Sequence, residues 1–195
     1  MDGFIALIKA IVEANGLAAQ HVFATRGSVV LPGFYRPTKQ WDILILYRSQ
    51  LVAALELKSQ VGSFRNNFNN RCEEAIGTAT DLWTAFREGA FSDSPRPFIG
   101  YLMLLQDCAE VHKPVHENSP HFKILPEFSN ASYAQRYELL CKKLVQERLY
   151  DAAALILSPS DAGLQGAYFE LSALTGLQRW VAGLASHVAV VAATS

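Results

Sequence analysis

The chain has 195 residues, half of them hydrophobic and 18% charged, with a formal net charge of −1. That length suits a single domain over residues 1–195 with a real core, and the composition excludes a disordered chain. Cys72, Cys108 and Cys141 lack Cys-x-x-Cys spacing, which excludes a recognisable zinc site or disulfide framework and fits reduced thiols in the cytoplasm.

No signal peptide is visible, because Lys9 and Glu13 interrupt the first apolar run. Residues Gly3–Asn15 read as a helix: Phe4, Ile5, Ile8, Ile11 and Val12 form one stripe, and Gly16 is a natural stop. Glu13 falls on the polar face, spaced to pair with Lys9. His21–Thr25 and Ser28–Leu31 are short strand candidates around Arg26-Gly27. Pro32–Gln40 reads as a loop whose Arg36 and Lys39 are candidates to touch phosphates.

The next stretch carries the chemistry. Trp41–Tyr47 and Leu51–Lys58 are short apolar runs separated by Arg48-Ser49-Gln50, which predicts a hairpin with a three-residue loop. Pairing Tyr47 with Leu51 sets Asp42 opposite Glu56, on the face that also carries Leu44, Leu46, Val52 and Ala54. Lys58 returns to that face two residues later. Opposed carboxylates repel at such spacing, and on an apolar face they need a cation. A hard divalent ion with oxygen ligands supplies it, and Mg²⁺ is the ordinary candidate. A Glu-x-Lys pair alone also fits a solvated strand face. Asp42 and the apolar neighbours argue against that reading.

Asn70, with Glu73 three residues on, reads as a helix N-cap, and Cys72, Ala75, Ile76, Ala79, Leu82, Trp83 and Phe86 follow helical period. Arg65, Asn66, Asn67, Asn69, Asn70 and Arg71 then form a donor-rich loop. Arg is suited to guanine and Asn to adenine, so these are candidate DNA contacts, although Asn-rich loops are also plain turn-formers. Phe98–Gln106 reads as a buried strand parallel to Leu51–Lys58. Asp107–Ala131 is a long irregular segment whose His112, His116 and His121 read as surface or groove residues. Ser132–Tyr150 reads as a helix with a Glu138–Lys142 pair, Ala152–Leu157 as a strand, and Ser172 onward as a terminal helix. Trp180–Ala193 is shorter than a membrane span and reads as a packed or interface helix.

This order predicts an α/β fold, a central mixed β-sheet flanked by helices. Arg26 to Arg71 holds seven basic residues against two acidic ones, a local net charge of +5 within a chain of −1. That is the footprint of a phosphodiester-handling site.

Asp42, thirteen intervening residues, then Glu56-Leu57-Lys58 on a hairpin matches the PD-(D/E)XK nuclease signature. More specifically, LPGFYRPTKQWDILILYRSQLVAALELKSQVGSFRNNFNNRCEEAIGTATDLWTAFREGAF and PRPFIGYLMLLQDC resemble the XhoI-type type II restriction endonucleases. The resemblance runs from Asp2 to the last helix. Trp41 stands where the superfamily often has Pro, and the sequence starts later than the family's enzymes do. It implies a restriction-endonuclease-like core, with Asp42 and Glu56 as Mg²⁺ ligands and the Leu57 carbonyl completing the protein shell. Lys58 would orient water and stabilise negative charge. It further implies duplex DNA containing CTCGAG, cut to leave 5′ overhangs, as part of a restriction-modification system. A palindrome is matched by a two-fold protein, so a homodimer is expected. Another nuclease of the superfamily, or a DNA-binding module that does not cleave, remains the alternative.

Overall fold

Continuous apolar runs become the inner strands of a five-stranded sheet, and the amphipathic segments cover its two faces. The computed structural model describes residues 2–162 and 166–194. In chain order they are α1 (Asp2–Ala14), β1 (Val22–Phe23), β2 (Val30–Pro32), β3 (Thr38–Gln40), β4 (Ile43–Tyr47) and β5 (Gln50–Gln60). There follow α2 (Phe64–Arg87), β6 (Phe98–Asp107), α3 (Tyr133–Gln146), β7 (Ala152–Pro159) and α4 (Leu177–Thr194). The sheet order is β1-β4-β5-β6-β7, antiparallel on the β1 side and parallel from β5 to β7. This is the mixed α/β architecture that the sequence predicts.

The core has two layers. Leu44, Leu51, Ala54, Tyr101 and Met103 on one sheet face pack with Phe64, Phe68, Ala79 and Leu82 of α2 and with Tyr137 and Leu144 of α3. Ile43, Ile45, Leu55, Leu57 and Ala154 on the other pack with Ile8 and Val12 of α1 and Trp180, Leu184 and Val188 of α4. The apolar side of α4 thus packs on its own sheet, and the chain turns out of α1 at Gly16, whose N–H donates to the Glu13 carbonyl. Glu13 is exposed on α1, which covers the sheet face turned away from the carboxylate pair.

Several expectations need correction. The hairpin turn has two residues, not three: Tyr47 pairs with Gln50, and Arg48 and Ser49 take φ of 48° and 64°. Left-handed backbone at both positions is the type I′ geometry that matches strand twist. A bulge between Ile45 and Leu46 absorbs the extra residue, so Leu44 faces Ala54 and Ile43 faces Leu55 as expected. The bulge moves Val52 to the α1/α4 face and puts Leu51 on the α2/α3 face. Pro32–Gln40 is not an open loop either, because β2 and β3 pair into a small hairpin with Leu31 opposite Lys39.

The larger correction concerns α2. It starts at Phe64, with Ser63 as N-cap, so Asn70 caps nothing and the Asn-rich stretch is helical. Asn has poor helix propensity, up to about 0.7 kcal/mol per residue below Ala. Burying Phe64 and Phe68 against Tyr133 and Tyr137 contributes roughly 1.5–3 kcal/mol each and outweighs it. The turn from β5 into α2 is left-handed at Gly62 and Ser63. Gln60 donates to the Gly62 carbonyl at 2.6 Å, and Gln106 accepts the Gly62 N–H at 3.0 Å.

Candidate active site

Asp42 precedes the first residue of β4, and Glu56 and Lys58 sit two residues apart on β5. The three side chains converge. Lys58 Nζ lies 2.5 Å from Glu56 Oε1 and 3.8 Å from Asp42 Oδ2. Asp42 Oδ2 also accepts the Leu57 N–H at 2.8 Å. Within a strand a residue's N–H and C=O point to one edge, so the Leu57 carbonyl is directed to the Asp42 edge as well. The Glu56 side chain is only 4% exposed, whereas Asp42 and Lys58 remain in partial contact with solvent. Tyr101 of β6 lies beside Glu56 in the parallel register.

A second ammonium shares this carboxylate. Lys39 Nζ lies 3.3 and 3.2 Å from the two Glu56 oxygens. Its hairpin is fastened to α2 by Asp81, which the sequence reading did not single out. Asp81 Oδ1 accepts the N–H groups of Phe34 and Tyr35, both at 2.8 Å, and Oδ2 accepts Arg36 Nε at 2.9 Å. Gly33 is required at this approach, since a Cβ there would lie 2.5 Å from Asp81 Oδ2. Burial tends to raise the Asp81 pKa, but Arg36 and the two backbone donors hold it below its ordinary value. The signal was a lone acid next to Leu82 on the core stripe of α2.

Arg36, Lys39, Glu56, Lys58, Arg71, Glu73, Glu74, Gly77 and Thr78 line a cavity of about 320 Å³ between β5, the β2–β3 hairpin and α2. Four of the seven basic residues gather here. Arg48 lies instead at the hairpin turn, over the Tyr47 ring. Arg71 is held by Glu74 at 2.8 Å and by the Ser59 carbonyl at 3.5 Å. Arg65, Asn66, Asn69 and Asn70 are exposed on the first turns of α2, while Asn67 is half-buried and donates to the Ser63 carbonyl. Of the histidines, His112 pairs with Asp107 at 2.5 Å, and His116 and His121 are exposed.

The donor set fits a hard cation, since a positive charge already stands against both carboxylates. Among the described residues no group of three or more His, Cys, Asp or Glu side chains is gathered as a metal cage. Mg²⁺ does not need one, because it ordinarily keeps several waters and takes one or two carboxylates.

The family described as restriction endonuclease XhoI matches residues 1–170. The chain belongs to the XhoI restriction endonuclease family. It is 47% identical to the type II restriction enzyme BstVI of Geobacillus stearothermophilus, over 99% of this chain and 88% of that one. It is 51% identical to the type II restriction enzyme XhoI of Xanthomonas vasicola, over 82% of this chain and 65% of that one. The type II restriction enzyme AbrI of Azospirillum brasilense is 59% identical over 63% of this chain, and the match spans 56% of that enzyme. No solved structure matches the chain. Membership makes it an enzyme of the type II restriction class, a DNA-cleaving hydrolase. No described helix is long and apolar enough to cross a membrane.

Proposed function

We propose that the chain is a Mg²⁺-dependent endonuclease that cuts duplex DNA at a CTCGAG-like palindrome and leaves 5′ overhangs. In this reading it acts in the cytoplasm within a restriction-modification system, each copy is one catalytic domain, and two copies match the two-fold site. The convergence of Asp42, Glu56 and Lys58 on an otherwise apolar strand pair carries the reading.

Phosphodiester hydrolysis needs a positioned water, charge stabilisation on the phosphate and help for the leaving oxygen. Asp42, Glu56 and the Leu57 carbonyl would hold Mg²⁺, which when bound supplies Lewis-acid stabilisation and an acidified water. Burial would lower the Lys58 pKa, but the Glu56 carboxylate beside it outweighs burial and raises it. In the metal-free site Lys58 is thereby held as an ammonium. In this reading it acts as a donor, orienting the attacking water and stabilising charge on the phosphate oxygens. Arg36, Lys39 and Arg71 belong to phosphate handling around the pocket. Arg65, Asn66, Asn67, Asn69 and Asn70 offer donors and acceptors along one helix start, a shape the major groove admits.

A plasmid digest tests this. Discrete fragments mapping to CTCGAG, with 5′ overhangs on sequencing, are expected with Mg²⁺ or Mn²⁺ and absent in excess EDTA. A smear would indicate a less specific nuclease. Binding without cutting would indicate a DNA-binding module. Sedimentation of the protein on a cognate duplex should give two copies per site.

A further inference from the structure

Lys39 is not accounted for by the Asp…Glu-x-Lys motif, yet it contacts the most buried carboxylate of the site. Its ammonium reaches both Glu56 oxygens, while Lys58 holds Oε1. With Asp42 included, the cluster contains two carboxylates and two ammonium groups and is neutral. A divalent cation taken up by the same carboxylates would leave two surplus positive charges beside the buried Glu56 carboxylate. One ammonium must withdraw for such an ion to fit.

The two lysines differ in their freedom to do so. Lys58 lies on β5 two residues from Glu56, facing the same side, and keeps Asp42 as a second partner. Lys39 comes from a separate hairpin and has other partners ready. Its Nζ already lies 2.5 Å from the Gln40 carbonyl and 5.4 Å from the centre of the Trp41 ring. Asp81 fastens the hairpin to α2 at Phe34, Tyr35 and Arg36, and Lys39 pairs with Leu31 across the hairpin, so the backbone that carries Lys39 is held in place. A side-chain rotation is then enough to free Glu56.

We propose that Lys39 is a displaceable latch: a positioning residue whose ammonium holds Glu56 in the metal-free protein and yields it to a hard divalent cation. The proposal rests on the reading of this site as a metal centre. It sets the ion affinity of the protein without DNA, because binding must displace a charge from the ligand carboxylate. The released ammonium stays in the cavity shared with Arg36 and Arg71.

Mn²⁺ titration of the full chain, following free Mn²⁺ by electron paramagnetic resonance without DNA, decides the matter. Lys39→Gln should bind Mn²⁺ about tenfold more tightly than wild type, and Lys39→Arg, which keeps the charge, should stay near wild type. Mn²⁺ should also raise the melting temperature of Lys39→Gln more than that of wild type. Lys39→Met, which keeps most of the stem without the charge, should repeat the result and covers a Gln variant that fails to fold. A merely structural lysine gives weaker or unchanged affinity in the neutral variants, and either outcome overturns the latch while leaving the metal site intact. Absence of Mn²⁺ binding in wild type and in both neutral variants overturns the metal reading, and the latch with it.

Discussion

Asp42 reaches past the end of β4 to accept the Leu57 N–H at 2.8 Å, which fixes its carboxylate beside the residue that separates Glu56 from Lys58. The contact explains how a residue outside the strand is held as firmly as those within it. It also separates chemistry from folding in a variant. Asn at position 42 keeps an oxygen to accept that N–H but loses the charge. Asp42→Asn should therefore melt close to wild type and cut DNA at least about 100-fold more slowly. Thermal melts together with nicking of supercoiled plasmid check both halves, and normal nicking would remove Asp42 from the mechanism.

The Asp81 clamp gives a stability prediction with a defined pH window. Asp81→Ala leaves two backbone N–H groups without their acceptor and should cost about 2–4 kcal/mol. Most of that comes from the Phe34 and Tyr35 donors, since Arg36 is half-exposed and its ion pair adds little. The folded pKa of Asp81 lies below its ordinary value. Its stabilisation is then complete above the unfolded carboxyl range, near about pH 4, and is lost as pH falls through the folded value. Urea unfolding of wild type and variant should differ by a constant amount from pH 8 to pH 5. A difference that shrinks by pH 6 would contradict the assignment.

These two carboxylates show what the sequence can and cannot carry. Asp42 was legible because strand alternation is strict and the register past the bulge coincides with the one a simple hairpin gives. The bulge itself was not, since Arg48-Ser49 lacks the Asn-Gly or Gly pattern that announces a two-residue turn. The start of α2 was missed for a different reason. Local propensity favours a loop at Asn66–Asn70, and only the packing of Phe64 and Phe68 on α3 makes it a helix. Asp81 and Lys39 meet their partners across 45 and 17 residues, contacts that no local pattern encodes.

The thiol beside the site should be inert. Burial, with Glu73 nearby, pushes the Cys72 thiol up to about 11. At pH 8 only about one molecule in a thousand carries the reactive thiolate. Mass spectrometry after brief treatment with an aromatic disulfide reagent should show Cys72 unmodified in the native protein and modified in urea. Rapid native labelling would mean the α2 face opens.

The terminal helix separates core from surface. Leu184 is fully buried under the sheet, whereas Val190 is 61% exposed. Leu184→Asp places a charge in the core and should cost more than about 4 kcal/mol. Val190→Asp should change stability by less than about 0.5 kcal/mol. Circular dichroism melts distinguish them, and a folded, stable Leu184→Asp variant would show that the inner face of α4 is not core.

The start of α2 and the cavity residue Arg71 should contribute to DNA binding in different ways. Asn66 and Asn69 lie exposed beside Arg65, within the helix's first turns and without a side-chain role in the fold. Asn pairs bidentately with adenine, and each such contact is worth about 1–3 kcal/mol of discrimination. Asn66→Ala or Asn69→Ala should therefore weaken binding to CTCGAG towards that of a site with one base pair changed. Arg71 instead lies in the cavity beside Lys58, braced by Glu74 and the Ser59 carbonyl. Its removal should weaken binding to every duplex alike and reduce the salt slope by about 1. Isotherms on cognate and one-substitution duplexes at several salt concentrations, in the Asp42→Asn background to prevent cutting, separate the two effects. Loss of discrimination at a single base pair in Arg71→Ala, with an unchanged salt slope, would make Arg71 a base reader and move the groove contact down α2 to the edge of the cavity.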